Sequence, residues 1–281
     1  MKPFDRQAVR QTEEINFPTT SRRAFMASAV MLGAAMVPSL RGDDTGVTDF
    51  PKRIARGRRF LADLFDPALG LLPEFAGAKS YWLFHDNYLA AKVLKSSHPE
   101  LGGKIVDAIH GYGVRVSGKI EIIFDESPRA LPFRHYHLSE VKRVGDKIIK
   151  NEVVSDDEFV EWRKYADLLC FAAIAQSRTD PAKARECLTA AEAMWDGKGF
   201  LDPPVREAGR YATYKLALAL LAAKRVGVKL HAQAAVVERL LAQQNDAGGW
   251  VTDYSAEGKA VGEANVETSS LAILALETLA G

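Results

Sequence analysis

Cysteine is scarce in this chain. Its two copies, Cys170 and Cys187, lie in no Cys-x-x-Cys or Cys/His cluster. That excludes a structural zinc site and leaves no disulfide framework, so both thiols read as plain core residues. Blocks of like charge are also missing, and the formal net charge is +1. A nucleic-acid partner, which calls for a basic surplus, is therefore not expected. No apolar run reaches the roughly 20 residues a membrane-spanning helix requires, and Ala24 to Val37 is too short. With 47% hydrophobic and 26% charged residues, wholesale disorder is excluded too. The length suits one large domain or two small ones with a real core.

What is present begins at the N-terminus. A polar stretch, Met1 to Thr20, leads into Ser21-Arg22-Arg23-Ala24-Phe25-Met26 and the mildly apolar run to Val37. This order resembles a twin-arginine export signal. The resemblance implies a leader over residues 1–40, a folded domain over 41–281, and the twin-arginine export machinery as a partner. The expected location is periplasmic or extracellular. Cleavage would fall between Met36 and Asp44, or the leader stays uncleaved as an anchor, which would be the only tie to a membrane.

From Phe50 onward two kinds of helical segment alternate. Tyr81 to Leu94, Val160 to Gln176, Tyr211 to Ala223 and Val266 to Leu279 are apolar nearly all round, as a helix buried on every side must be. Pro181 to Trp195 instead keeps Ala184, Cys187, Leu188 and Ala191 at helical spacing, one face in and one out. The segments repeat. Gly199-Phe200-Leu201-Asp202 is echoed by Gly249-Trp250-Val251-Thr252-Asp253 and by Gly70-Leu71-Leu72-Pro73-Glu74. Each precedes, after a polar loop, an apolar helix, with a period near 50 residues in the last two units.

Gln243-Gln244-Asn245-Asp246-Ala247-Gly248-Gly249-Trp250, followed by Asn265-Val266-Glu267-Thr268-Ser269-Ser270-Leu271-Ala272, resembles the repeat of the α/α-toroid superfamily. That superfamily includes squalene and terpenoid cyclases and protein prenyltransferases. The resemblance implies an all-α fold, an incomplete ring of inner and outer helices with a pocket at the inner-helix ends. It carries over no catalytic residue, because the Asp-x-Asp-Asp acid of the cyclases and the zinc ligands of the prenyltransferases have no counterpart. Only residues 116–155 break the helical pattern. There Lys119 to Phe124 alternates, and Leu138 to Asn151 reads as a hairpin turning at Gly145-Asp146. A small β insertion over one end of the ring is expected.

Aligning the apolar helices by their Leu-Ala pairs brings polar and aromatic residues to matching N-terminal ends. They are Trp82, His85, Asp86 and Asn87; Glu161, Tyr165 and Asp167; Arg210, Tyr211 and Tyr214; and Asn265, Glu267 and Thr268. Either they line a ligand site, or the acids and amides merely cap first-turn N–H groups. Asp86 and Glu267 are the expected catalytic pair, since sugar hydrolysis or elimination needs one protonated and one ionised carboxylate. Trp82, His85, Asn87, Glu161, Tyr165, Arg210, Tyr211, Tyr214 and Asn265 are the expected ligand contacts. No metal or cofactor is expected, and His135 and His137 read as surface or lid residues. The leading functional expectation is an exported protein that binds or acts on a carbohydrate or similar polar ligand, as a hydrolase or lyase. A non-catalytic helical-repeat binding module is the rival, and an isoprenoid-related enzyme comes third.

Overall fold

The computed structural model describes residues 49–280 apart from 118, 127–130 and 132. The leader and its cleavage region lie outside them. In chain order come α1 (Phe50–Asp63), β1 (Ser80–Trp82), a π-helical turn at Leu83–Tyr88, α2 (Leu89–Leu94) and α3 (Pro99–Gly111). A 3-10 turn at Ile120–Phe124 precedes a long hairpin, β2 (Arg134–Val144) and β3 (Lys147–Glu158), and a second 3-10 turn at Val160–Lys164. Then follow α4 (Ala166–Gln176), α5 (Pro181–Glu192), α6 (Pro203–Ala208), β4 (Tyr211–Ala212), α7 (Thr213–Val226) and α8 (Gln233–Ala242). The chain ends on β5 (Val251–Tyr254), β6 (Ala260–Ala264) and α9 (Val266–Ala280). Among the described residues no helix is long and apolar enough to cross a membrane.

Four apolar helices form the central row: α4 packs on α7, α7 on α9, and α9 on α2. A second helix backs each of them, α5 on α4, α8 on α7, α1 on α9 and α3 on α2. In α7 every residue from Thr213 to Ala223 is buried, because neighbours surround it. Each fully buried leucine there contributes about 1.5–3 kcal/mol. The backing helices bury a stripe instead. In α5 it is Ala184, Cys187, Leu188 and Ala191. Local chemistry sets the helix starts. The Lys52 and Lys183 N–H groups donate to Asp49 and Asp180 at 3.1 Å, with Pro51 and Pro181 in the first turns. Arg53 and Arg56 of α1 donate to the carbonyls of Leu241, Asn245 and Asp246 at 2.9–3.0 Å, placing cations at the C-terminal end of α8.

The expected all-α toroid is corrected by the strands. The described residues are about 52% helical and 20% strand, in a mixed α/β fold with two three-stranded sheets. One sheet has the order β1-β3-β2, with β1 parallel to β3 and β2 antiparallel to it; the other is antiparallel, β4-β5-β6. Among the described residues nothing in the packing describes a toroid, so the likeness of the Gln243 to Ala272 stretch to that superfamily does not extend to the fold. The reason is local. Strands of two to five residues are too short to show alternation, so Tyr81–Trp82 and Tyr211–Ala212 read as the first residues of apolar helices, where the structure has β1 and β4, and Ala260–Ala264 showed no strand pattern. Conversely, the alternating Lys119 to Phe124 is a 3-10 turn whose Ile120, Glu121, Ile122 and Ile123 are all buried. The long hairpin does turn at Gly145–Asp146, with Gly145 at φ 61°.

Candidate functional site

Three helices of the central row begin directly after a strand: β1 runs into the π turn and α2, β4 into α7, and β6 nearly into α9. An extended segment followed at once by a helix leaves first-turn N–H groups unpaired at the strand's end. The polar residues of these junctions therefore stand at helix N-termini. The glycine turns that precede the junctions repeat in three dimensions, with single bridges joining Asp66 to Leu71, Trp195 to Phe200, and Gln244 to Trp250. In two units the strand tyrosine reaches back to the aspartate that opens the turn. Tyr81 Oη donates to Asp66 at 3.0 Å and Tyr211 Oη to Asp196 at 2.5 Å. Burial and then the Asp196 carboxylate push the Tyr211 phenol up to about 12.

In the first unit Trp82 is buried and its indole N–H donates to Glu74 at 3.3 Å. His85 is buried with Nε2 3.1 Å from Glu152 Oε2 on β3. Asp86 and Asn87 are wholly enclosed. The Asn87 amide is spent on backbone groups of Leu72 and Trp82.

In the last unit Asn265 caps α9, its Oδ1 accepting the Thr268 N–H at 2.9 Å. Glu267 lies in the first turn of α9 and is half-buried. The π turn packs against α9, so Asp86 and Glu267 sit on elements in mutual contact although 181 positions separate them in sequence.

At the other end of the row, Tyr214 Oη donates to Asp167 Oδ2 at 2.9 Å. Lys215 Nζ donates to the enclosed Asp202 at 2.5 Å, and the same carboxylate accepts the Ala166 N–H at 3.1 Å. Burial, opposed by Lys215 and then reinforced by Asp167, holds Asp202 above its ordinary value. Tyr165 is buried against Phe159, with ring centroids 5.3 Å apart, and burial followed by the nearby acids pushes its phenol up. Arg210 is half-buried beside β4. Glu161 stands exposed on the 3-10 turn, paired with Lys164.

The structure thus sets His85 and Asp86 on the turn that packs against α9, with Trp82 just before it on β1, and groups Tyr165, Tyr214 and Asp167 separately around α4 and α7. Lys215, Asp202, Glu152 and Glu74 were missed in the sequence. A lone lysine inside the apolar run Thr213 to Ala223 was the available signal for the first. His135 meets the edge of Phe159 at 5.0 Å while His137 is exposed. Among the described residues no cluster of three or more His, Cys, Asp or Glu could hold a metal ion. Compared with family models, curated proteins and solved structures, the chain matches none.

Proposed function

We propose that this protein binds a carbohydrate or similarly polar ligand at the N-terminal ends of α2 and α9 and cleaves it with Asp86 and Glu267. One observation carries the reading: Asp86 is a wholly buried carboxylate inside a π-helical turn. Burying an acid and widening a helix both work against stability, and such features concentrate at functional sites. Glu267, half-open on the helix that this turn packs against, supplies the second carboxylate. In this mechanism ligand binding opens the turn around Asp86, which is enclosed in the free protein, and Asp86 then delivers a proton to the leaving glycosidic oxygen. Glu267 takes a proton from the attacking water, or from the sugar carbon in an elimination.

A rival reading, a non-catalytic binding module, is favoured by the filled middle of the helix row, where α7 is buried all round. The amide variants Asp86→Asn and Glu267→Gln separate the two. Catalysis predicts turnover on soluble polysaccharides, assayed by new reducing ends or unsaturation, falling about 100-fold or more with little change in melting. Capping predicts a stability loss of up to about 2 kcal/mol with activity per folded molecule intact. Wild-type protein that binds polysaccharides without cleaving them supports the rival; no binding at all ends both carbohydrate readings. Export through the leader belongs to the same proposal. Replacing Arg22 and Arg23 by lysine keeps the charge, and continued export of that variant would remove the twin-arginine assignment.

A further inference from the structure

Asn87 is fully buried, and its side-chain amide makes three hydrogen bonds, all to backbone. Its Oδ1 accepts the Leu72 N–H at 2.6 Å, and its Nδ2 donates to Leu72 O at 3.0 Å and to Trp82 O at 2.8 Å. Both backbone groups of Leu72 are matched by one side chain, as a neighbouring strand would match them. Unmade, these bonds would leave buried backbone groups at a cost.

The third bond bears on the turn itself. Trp82 precedes Asn87 by five residues, the spacing at which a π-helical carbonyl meets its N–H, where an α-helix uses four. The amide therefore draws residue 87 over the carbonyl five places back. The chain forms the π turn Leu83–Tyr88 before settling into α2. One residue of slippage between π and α registers rotates the preceding side chains by about 100° about the helix axis. His85 and Asp86 are among those side chains. From the other side His85 meets Glu152 of β3 at 3.1 Å, so the turn is held between Leu72 and the hairpin.

We propose that Asn87 is a positioning residue whose amide clamp imposes the π turn and thereby sets the direction of His85 and Asp86. Its functional consequence rests on the role given above to Asp86; the clamp itself does not. A substitution such as Asn87→Ala removes all three bonds, and the turn is then free to relax to α-helical spacing. His85 swings away from Glu152, and Asp86 leaves its enclosed position.

The test uses the His85 ring resonances in NMR spectra of the full chain. In wild-type protein, Glu152→Gln is expected to shift them, because Glu152 is the neighbouring charge. In an Asn87→Ala background the same change is expected to leave them unmoved, while the amide spectra of α4 and α7 stay native. A merely structural contribution of Asn87 would lower stability without abolishing that response. Persistence of the response in folded Asn87→Ala protein overturns the proposal.

Should the variant not fold, hydrogen exchange on wild-type protein decides. The Leu72 amide is expected to exchange as slowly as the core amides of α7, and exchange at the rate of an open loop amide overturns the clamp. Asp86→Asn assayed on polysaccharides tests the catalytic reading separately.

Discussion

Lys215 Nζ stands 2.5 Å from Asp202 Oδ2, with the two side chains 3% and 0% exposed. The pair links the end of the Phe200 turn to the first turn of α7, and Asp202 also holds the first N–H of α4. Removing one partner leaves an uncompensated buried charge. Lys215→Met or Asp202→Leu alone is expected to cost about 3–5 kcal/mol, whereas the double change should cost only about 1 kcal/mol, chiefly the lost bond to Ala166. Urea denaturation of the three variants checks this. Additive losses would mean the two groups do not act as a pair.

Asp66 is expected to stabilise the fold less as the medium turns acid. Burial works against the ionised Asp66, but Lys147, Tyr81 and the Ala68 N–H outweigh it and hold the carboxyl below its ordinary 3.8. Its stabilisation is present above that value and is lost as pH falls through the lower folded one. Melts of Asp66→Asn should therefore converge on wild type in acid. A gap between the two that stays constant down to acid would invalidate the assignment.

Two glycines should respond oppositely to alanine. A Cβ on Gly57 of α1 would lie 2.7 Å from the Trp250 ring and 2.9 Å from Ile273, both fully buried. Overpacking of this kind costs about 1–3 kcal/mol. Gly103 of α3 is exposed and has nothing within 4 Å of such a Cβ. There the change should stabilise by up to about 1 kcal/mol through helix propensity. Thermal melts of Gly57→Ala and Gly103→Ala give the comparison.

Cys170 and Cys187 are both buried, on the directly packed helices α4 and α5. Burial pushes both thiols up. Neither should react with a thiol reagent in native protein, and both should react once it is unfolded. The Cys187 thiol adds to the upward push on Cys170, so Cys170→Ala and Cys187→Ala should couple by about 0.5 kcal/mol or more in a double-mutant cycle. Strict additivity would show that the hairpin register differs.

Much of the helical framework was legible because helices carry their own signal. All-round apolarity marked α4, α7 and α9, a single stripe marked α5, and Asp180-Pro181 marked where α5 starts. The site was legible only by type. Asp86 and Glu267 drew attention as acids in apolar surroundings, and Asn265 as a cap. That the Asn87 amide would be consumed by Leu72, or that Glu161 would stand exposed beside Lys164, had no local mark.

Local pattern was enough to mark the bodies of α2, α4, α5, α7 and α9, the turn of the long hairpin and the repeated glycine turns, because periodicity, glycine and proline act over a few residues; it placed the starts of three of those helices too early, at Tyr81, Val160 and Tyr211. Tertiary structure alone decided that the chain is mixed α/β and not an all-α ring. β1, β4 and β6 are two to five residues long and exist only through partners elsewhere in the chain, β1 through β3 and β4 and β6 through β5. It also decided that His85 meets Glu152 and Lys215 meets Asp202. A charge buried in an apolar helix requires a partner but does not say which one, and only the packing of distant segments selects it.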